Sequence, residues 1–552
     1  MVMSRKNFPH SGSAGCVLAN RLTENEKNDV ALLEAGPKDD AWTIHMPAAL
    51  MYNLCDDDYN WFYHTEPEKH MNNRVMYWPR GRVWGGSSSL NAMVYIRGHA
   101  HDYDRWETEG AEGWSYADCL PYFKKAQAHE LGADKYRGGD GPLHVSRGKT
   151  EHPLHHAFVE AGQQAGYPFT SDMNGYQQEG VGWMDMTVHK GKRWSTASAY
   201  LRPVLFRPNL TTENNALATK IIFDGDRAIG LEYEHNGQPK TILARKEVIL
   251  SGGSINSPQL LQLSGIGNAD ELKALDIPLK QHLPGVGENL QDHLEVYIQQ
   301  KSLKNNTLYS AQWKFPHNMI RIGLEWFTMN TGYGATSHLE SGGFIRSKPG
   351  ITHPDIQYHF LPSTVNDHGR KIGPCHAYQL HVGTLRAGSR GHLKLRSRNP
   401  KDHPKIVANY FSDPDDIVDM RNSVHLSREI FAQKAFDEFR GPELAPGEGV
   451  KSDKEIDEFL RNMADSAYHP SCTCKMGGEW DRMAVVDNQG RVHGLKGLRV
   501  VDASIMPSIA SGNLNSPTIM IAEKIADRIL DKAPLPKSSA PVYKPPSLDK
   551  QR

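Results

Sequence analysis

Cysteine is scarce, with six in 552 residues at positions 16, 55, 119, 375, 472 and 474. That number and scatter exclude the stapled framework of a small secreted domain and point to a reducing compartment. Long hydrophobic runs are missing too: no stretch of about 18 uninterrupted apolar residues occurs, and mean hydropathy is −0.58. A membrane-spanning helix is therefore not expected, although surface attachment stays open. Neither sign of charge is in excess, since 63 Lys+Arg face 64 Asp+Glu and the pI is near 7.2. The usual electrostatic case for nucleic acid or an anionic surface fails, and a small partner is the expectation. Residues 1–10 are too short and too polar to read as an export signal or an amphipathic transit helix. No internal repeat is present.

Length and glycine are what the chain does have. At 552 residues it is roughly three to four times a usual domain of ~150 residues, so at least two domains are expected. Glycine and proline, 49 and 33, make up about 15% of the chain, above the background of about 12% yet far from a disordered composition. This is a loop-rich globular protein.

The first chemical signal lies near the start. Gly12-Ser-Ala-Gly15 opens a segment in which Ala14, Val17, Leu18, Arg21 and Leu22 fall on one helical face. A polar break over residues 23–28 leads to Asp29-Val-Ala-Leu-Leu-Glu34, a run of strand length ending in a carboxylate. In a dinucleotide-binding βαβ unit, glycines let the backbone approach a pyrophosphate at a helix N-terminus, and an acid about 20 residues on binds a ribose hydroxyl. The match is incomplete. His10 stands where the first motif glycine belongs, and a polar segment before Pro9 occupies the place of the first strand. Taken alone, an amphipathic helix opened by small residues explains the half-motif equally well.

Further segments agree with the nucleotide reading. Residues 81–98 pack Gly81, Gly85, Gly86 and Gly98 with Ser87, Ser88 and Ser89, a composition suited to a loop lying against a flat, phosphate-bearing cofactor. Residues 247–267 read as strand, glycine turn, and a helix with Pro258 near its first turn. Leu498-Arg-Val-Val-Asp502 is another strand ending in an acid, and an apolar helix is expected over residues 519–530. The nucleotide domain is thus assembled from both chain ends. Between these segments, alternating runs such as residues 356–360 and 392–396 suggest β-rich insertions. Residues 533–552, rich in Pro, Lys and Ser, read as an extended tail.

The segments at residues 81–104 and 253–267 resemble the two signature patterns of the glucose–methanol–choline (GMC) oxidoreductases, flavoenzymes that oxidise alcohols with FAD. The likeness covers nearly the whole chain, including residues 185–189, 464–476 and 541–545, and is strongest to choline-oxidising members. It implies an α/β fold: a Rossmann-like FAD-binding domain built from residues 1–150, 206–300 and 461–532, and an α+β substrate domain on an antiparallel sheet from residues 151–205 and 301–460. Gly12, Gly15 and Glu34 match the family's dinucleotide motif, and Gly85, Gly86, Ser88, Asn91 and Ala92 its pyrophosphate and flavin loop. Asp502, Ala503, Pro517 and Thr518 match the C-terminal flavin contacts, His469 the active-site histidine and Asn513 its partner. Leu90 replaces the histidine that tethers flavin covalently in a choline-oxidising relative, so non-covalent FAD is implied.

The chemistry of these residue types fits those roles. Oxidising an alcohol removes a hydroxyl proton and a hydride, and a neutral imidazole is suited to take the proton. The amide of Asn513 can donate to the nascent alkoxide without competing for that proton, while the hydride goes to flavin N5. The implied reaction is choline to betaine aldehyde. A quaternary ammonium donates no hydrogen bond and is held over aromatic faces with a carboxylate nearby, and Tyr468, Trp61 and Glu340 are the candidates for that cage. The resemblance also implies a respiratory quinone as acceptor and a mitochondrial inner-membrane surface as location. Two rivals stand beside this reading: oxidation of another primary alcohol, and a flavin-free inactive chain lacking the first strand and first glycine. His469, Cys472 and Cys474 as metal ligands are disfavoured, because a C-x-C spacing without a second pair is a poor zinc signature. No metal is expected.

Overall fold

A computed structural model describes residues 6–8, 12–366 and 371–552. Its first sheet has a parallel half made of β1 (Lys6–Phe8), β2 (Asp29–Leu33), β3 (Leu210–Glu213), the second half of β6 (Gln238–Leu250) and β7 (Leu498–Val500), in the order β3-β2-β1-β6-β7. An antiparallel meander of β4 (Ala216–Asp224), β5 (Arg227–His235) and the first half of β6 continues it. The thirteen residues of β6 therefore serve two ladders in turn. The apolar run of β2, almost wholly buried, is what a parallel strand covered on both faces requires.

The strand expected to be missing is present. β1 is only three residues long, yet it pairs in parallel with β2 through Lys6↔Asp29 and with β6 through Lys6↔Ala244 and Phe8↔Val248. Its backbone groups find partners on both sides, and this outweighs the polar composition that hid it. Pro9 and His10 lie outside the described residues.

Helix α1 (Ser13–Leu22) follows and buries Ala14, Val17, Leu18 and Leu22 against the sheet. Helix α2 (Gly253–Leu263) starts immediately after the 251–252 turn, so Pro258 falls in its interior rather than its first turn. The missing proline N–H frees the Ser254 carbonyl, and Thr473 Oγ1 donates to that carbonyl at 2.7 Å. Helix α3 (Asn515–Ile529) begins four residues before the expected start and packs against α1.

A second sheet is antiparallel, in the order Arg440–Ala445, Leu294–Ser302, Ala377–Thr384, Ile356–Leu361, Ser341–Ile345 and Gly180–Trp183. Its core, with Phe158, Tyr358, Phe360, Tyr378 and Phe431, is separate from that of the first sheet. The inserted segments are not only β-rich, because helices Pro153–Gln164, Pro316–Met329 and Pro414–Phe431 lie within them, each with proline at its start. The tail contains no helix or strand yet is tied down, as Tyr136 Oη donates to Pro541 O at 2.8 Å and Arg552 Nη1 to Tyr167 Oη at 2.7 Å. Among the described residues no helix is long and apolar enough to cross a membrane.

The two chain ends are joined by buried charge. Arg21 on α1 makes a bidentate pair with Glu523 on α3, at 2.9 and 2.8 Å. Tyr200 Oη donates to the same carboxylate at 2.9 Å, and Lys125 lies 3.2 Å away. Glu523 is wholly buried, and removing one partner of such a pair costs about 3–5 kcal/mol because the other charge stays buried. Glu523→Ala is therefore expected to lower the melting temperature by about 5 °C or more. An unchanged melting curve would show that α1 and α3 do not depend on this pair.

Candidate active site

An elongated hollow runs along the carboxyl ends of β1, β2 and β6. Its larger part, about 230 Å³, is bounded by Gly12, Ser13, Asn91, Asp502, His469 and Asn513 among others, and a smaller part, about 70 Å³, reaches Glu34. Both parts share Gly12, Gly86 and Ser251. The floor leaves no space for side chains. A β-carbon on Gly12 would lie 2.6 Å from Ser251 O, one on Gly86 would lie 2.9 Å from Gly12 Cα, and one on Gly81 would lie 2.3 Å from Gly86 C. Gly86 also has φ of 54°, a conformation that suits glycine.

This hollow fits FAD on several counts. The start of α1 has no side-chain cap and no acidic residue in its first turn, so its first N–H groups face the hollow as an anion site. Glu34 stands at one end, fixed by Gly36 N at 2.9 Å to Oε1, where a ribose would need an acceptor. Ser251 Oγ and Ser254 Oγ, both buried, have no hydrogen-bond partner among the described residues and line the hollow. A bound ligand with polar atoms would satisfy them.

The sequence candidates divide into those that face the hollow and those behind it. Gly12, Gly86, Asn91, Ala92, Asp502, Ala503, Thr518, Tyr468, His469 and Asn513 line its larger part, and Leu90 does too. Gly15 lies within α1, Gly85 takes φ of 84° beneath the loop, and Pro517 lies within α3. Ser88 is turned inward, donating to Gly85 O at 2.6 Å and accepting from Thr196 N at 3.0 Å. Asp502 is a hub, accepting from Gly253 N at 2.9 Å, Ser257 Oγ at 2.6 Å and Ser504 N at 2.8 Å. Trp61 borders the smaller part beside Glu34, stacked on Tyr63. Glu340 lines neither part. It is buried 3.2 Å from His155 Nε2, and His155 and His338 hold its carboxyl down to about 2 against the opposing effect of burial. His469, Cys472 and Cys474 do not converge as ligands. Among the described residues, the group of metal-ligating side chains close enough to share an ion is Asp56, Asp57 and Asp58.

His469 and Asn513 meet at one wall, with Asn513 Nδ2 3.3 Å from His469 Nε2. The other face of Asn513 is held by Gln357 Nε2, which donates to Oδ1 at 3.1 Å and also lies 3.0 Å from His359 Nε2. This fixes the amide so that its N–H points at the imidazole. Burial pushes the His469 pKa well below the usual value, and the neighbouring His293, His359 and Arg80 add to the effect. The ring is neutral at working pH. Arg80, itself lowered by burial to about 10, donates Nη2 to Tyr468 O at 2.8 Å. Tyr468 has φ of 62°, a strained state costing about 1–3 kcal/mol. It is clamped by that bond and by Ser466 Oγ, which accepts from Tyr468 N at 2.8 Å.

Sequence reasoning missed Arg80, Ser251, Asp292, His293, Gln357 and His359. The alternating run at residues 356–360 did put Gln357 and His359 on one strand face, but nothing local said which residue they would meet. Arg80 directly precedes the glycine-rich segment.

A Rossmann-type sheet with a glycine-floored hollow, whose wall carries a neutral histidine and an amide from the loop before α3 that the antiparallel sheet holds through Gln357, defines a flavin-dependent oxidoreductase fold. Comparison with known proteins agrees. Residues 7–295 and 387–522 match the N-terminal and C-terminal GMC oxidoreductase family models, and the chain belongs to the GMC oxidoreductases. The mitochondrial choline dehydrogenase of Mus musculus is 66% identical over 549 residues, covering 98% of this chain and 92% of the relative. The oxygen-dependent choline dehydrogenase of Burkholderia multivorans is 54% identical over 539 residues, covering 97% and 94%. Among solved structures, pyridoxine 4-oxidase from Mesorbium loti superposes with a TM-score of 0.87 at 29% identity, covering 96% of this chain and 99% of that one. The chain is an FAD-dependent alcohol oxidoreductase, and the flavin-free reading is not favoured.

The crowded floor yields a direct test. Gly12→Ala places a methyl 2.6 Å from a backbone oxygen, so the α1 start must shift. FAD affinity is expected to fall at least about tenfold, equal to ~1.4 kcal/mol. Equal dissociation constants in a flavin titration of both proteins would reject this account of the floor.

Proposed function

We propose that this protein oxidises choline to betaine aldehyde. The observation that carries the reading is the neutral His469 with its Nε2 beside the amide of Asn513 at the wall of the hollow. His469 Nε2 takes the hydroxyl proton, and Asn513 Nδ2 donates a hydrogen bond to the oxygen that becomes negative. FAD, when bound, supplies the hydride acceptor. Because Leu90 offers no nucleophile at the hollow, FAD is held non-covalently. Tyr468, next to the base in the chain, lines the larger part of the hollow and contributes to holding the ammonium group. Trp61 and Glu340 would act from outside the larger part of the hollow. The high identity to choline dehydrogenases supports choline over other primary alcohols. A division into an FAD-binding and a substrate domain is supported by the two separate sheets and cores, but the strand Leu294–Ser302 belongs to the second sheet and core, which moves the expected boundary at residue 300 to just before residue 294.

The test is anaerobic flavin reduction. Wild type should turn over choline in preference to its neutral carbon isostere, and its yellow colour should pass into the supernatant after acid precipitation. His469→Ala should slow reduction by about 10²–10⁴-fold, and Asn513→Ala should slow it as well. Wild-type reduction rates in His469→Ala would remove the base assignment.

A mitochondrial location follows from likeness to the mouse and human enzymes, and the inner-membrane surface with a quinone acceptor is the finer proposal. An exposed apolar patch supports it. On the Pro316–Met329 helix, Ile320, Leu324 and Phe327 are 63%, 64% and 58% exposed, an i, i+4, i+7 stripe. Trp42 packs on Phe327 and Tyr52 with ring centroids 5.4 and 6.5 Å apart, and the exposed Trp313 donates to Tyr52 Oη at 3.1 Å. The exposed His317 and Arg321 flank the stripe, while the one acid of the helix, Glu325, accepts from Thr331 Oγ1 at 3.3 Å. Aromatic, aliphatic and basic groups on one face are what a bilayer interface takes up. The patch adjoins the hollow, since the Leu50–Leu54 helix shows Tyr52 outward and Leu54 to the cavity, giving a lipid-dissolved acceptor a short approach. Wild type should sediment with vesicles of mixed zwitterionic and anionic lipid, and Leu324→Glu with Phe327→Glu should not, with turnover on a soluble acceptor retained. A dimer that dissociates in the double variant, without vesicle binding by wild type, would assign the patch to self-association instead.

A further inference from the structure

His293 faces the proposed base from the side opposite Asn513. Its Nδ1 lies 3.0 Å from His469 Nδ1, and its Nε2 lies 3.1 Å from Leu385 O. These two contacts determine where the protons sit. A carbonyl only accepts, so His293 carries its proton on Nε2. His293 is buried, and burial holds its pKa down to about 4, so the ring is neutral and Nδ1 is a lone pair. A 3.0 Å contact between two ring nitrogens needs one proton between them, and that proton must be on His469 Nδ1. His469 is neutral as well, which leaves its Nε2 unprotonated toward Asn513 and the hollow. The opposite tautomer would set two lone pairs against each other at Nδ1 and place a proton on Nε2, where it could not act as a base.

Two strands put these groups together. His293 immediately precedes the Leu294–Ser302 strand, and Leu385 immediately follows the Ala377–Thr384 strand, which are paired antiparallel in the register Glu295↔Gly383. The adjoining Asp292 anchors the main chain of the base, accepting from His469 N at 2.7 Å while Ser466 Oγ at 2.5 Å and Tyr410 Oη donate to its other oxygen.

We propose that His293 is a positioning residue that, oriented by the Leu385 carbonyl, holds His469 in the tautomer with Nδ1 protonated and Nε2 free to accept the substrate proton. Asp292 and His293 then act together, the first on the backbone of the base and the second on its ring. The proposal rests on His469 being the base, and the experiment separates the two.

The decisive variants are His293→Phe, which removes the acceptor, and His293→Gln, whose amide presents an oxygen to His469 and an N–H to Leu385. In the holoenzyme, His293→Phe should slow anaerobic flavin reduction by about 10²-fold or more with flavin content retained, and His293→Gln should recover most of the loss. Nitrogen-15 NMR of the ring-labelled protein, with His469 assigned by its absence in His469→Ala, should show His469 Nε2 unprotonated in wild type and in His293→Gln. If His293→Phe reduces flavin at the wild-type rate while His469→Ala does not, the positioning role is wrong and the base stands. If His469→Ala is itself unimpaired, the underlying reading is wrong. A wild-type spectrum with the proton on His469 Nε2 overturns the proposal without any variant, including the case in which His293→Phe does not fold.

Discussion

The crossing of three backbone segments at Gly12, Gly86 and Ser251 is the constraint on which the rest of the molecule depends. Gly12 sits so close to Ser251 O, and Gly86 so close to Gly12, that neither tolerates a β-carbon. Close approach there turns the start of α1, the 81–92 loop and the 251–252 turn into a single floor. A side chain at Gly12 or Gly86 would separate the segments and fill the space that a dinucleotide needs. The same crossing explains why distant parts of the chain are tied around it. Ser13 Oγ donates to Gly85 O at 3.2 Å and accepts from Asn515 Nδ2 at 3.3 Å, and the Arg21–Glu523 pair holds α1 to α3 just behind.

At the far end of the hollow, exclusion of water sets the chemistry. His293 and His359 are buried and His469 is half-buried at the wall, and all three are held below the usual histidine range, with desolvation the leading cause in each case. Neutral imidazoles can exchange single protons along defined contacts, whereas charged ones would repel each other at these separations. Asp292 shows the counterpart, its carboxyl pushed up by burial to about 6 although Ser466, Tyr410 and His469 N all donate to it. Arg80 adds a positive charge that opposes protonation of His469. The strained Tyr468 backbone is the local cost of turning the base into the hollow, offset by the clamp of Arg80, Ser466 and Asp292.

Much of this was legible in the residues themselves. The glycine spacing at 12 and 15, the acid at 34, the 81–98 loop and the strand-to-helix turn at 251–253 all carry local backbone requirements, and such requirements are written in the residue types that can meet them. His469 and Asn513 were legible only through likeness to a family, because a lone histidine among 27 has no local mark of its role. β1 was not legible, since a strand of three residues owes its existence to partners at Asp29 and Ala244 rather than to its own composition. Nor was the start of α3 or the interior place of Pro258, which depends on Thr473, 215 positions away in sequence, covering a freed carbonyl. Gln357, His359 and His293 lie on the antiparallel sheet or at its edge, and their function comes from strand register, which no short segment encodes. The glycine turns and the acid of the cofactor site are readable from residue types, since they are demands of local backbone geometry. Which polar groups face one another at the base depends on the fold, because desolvation and proton placement are properties of neighbours that it brings together.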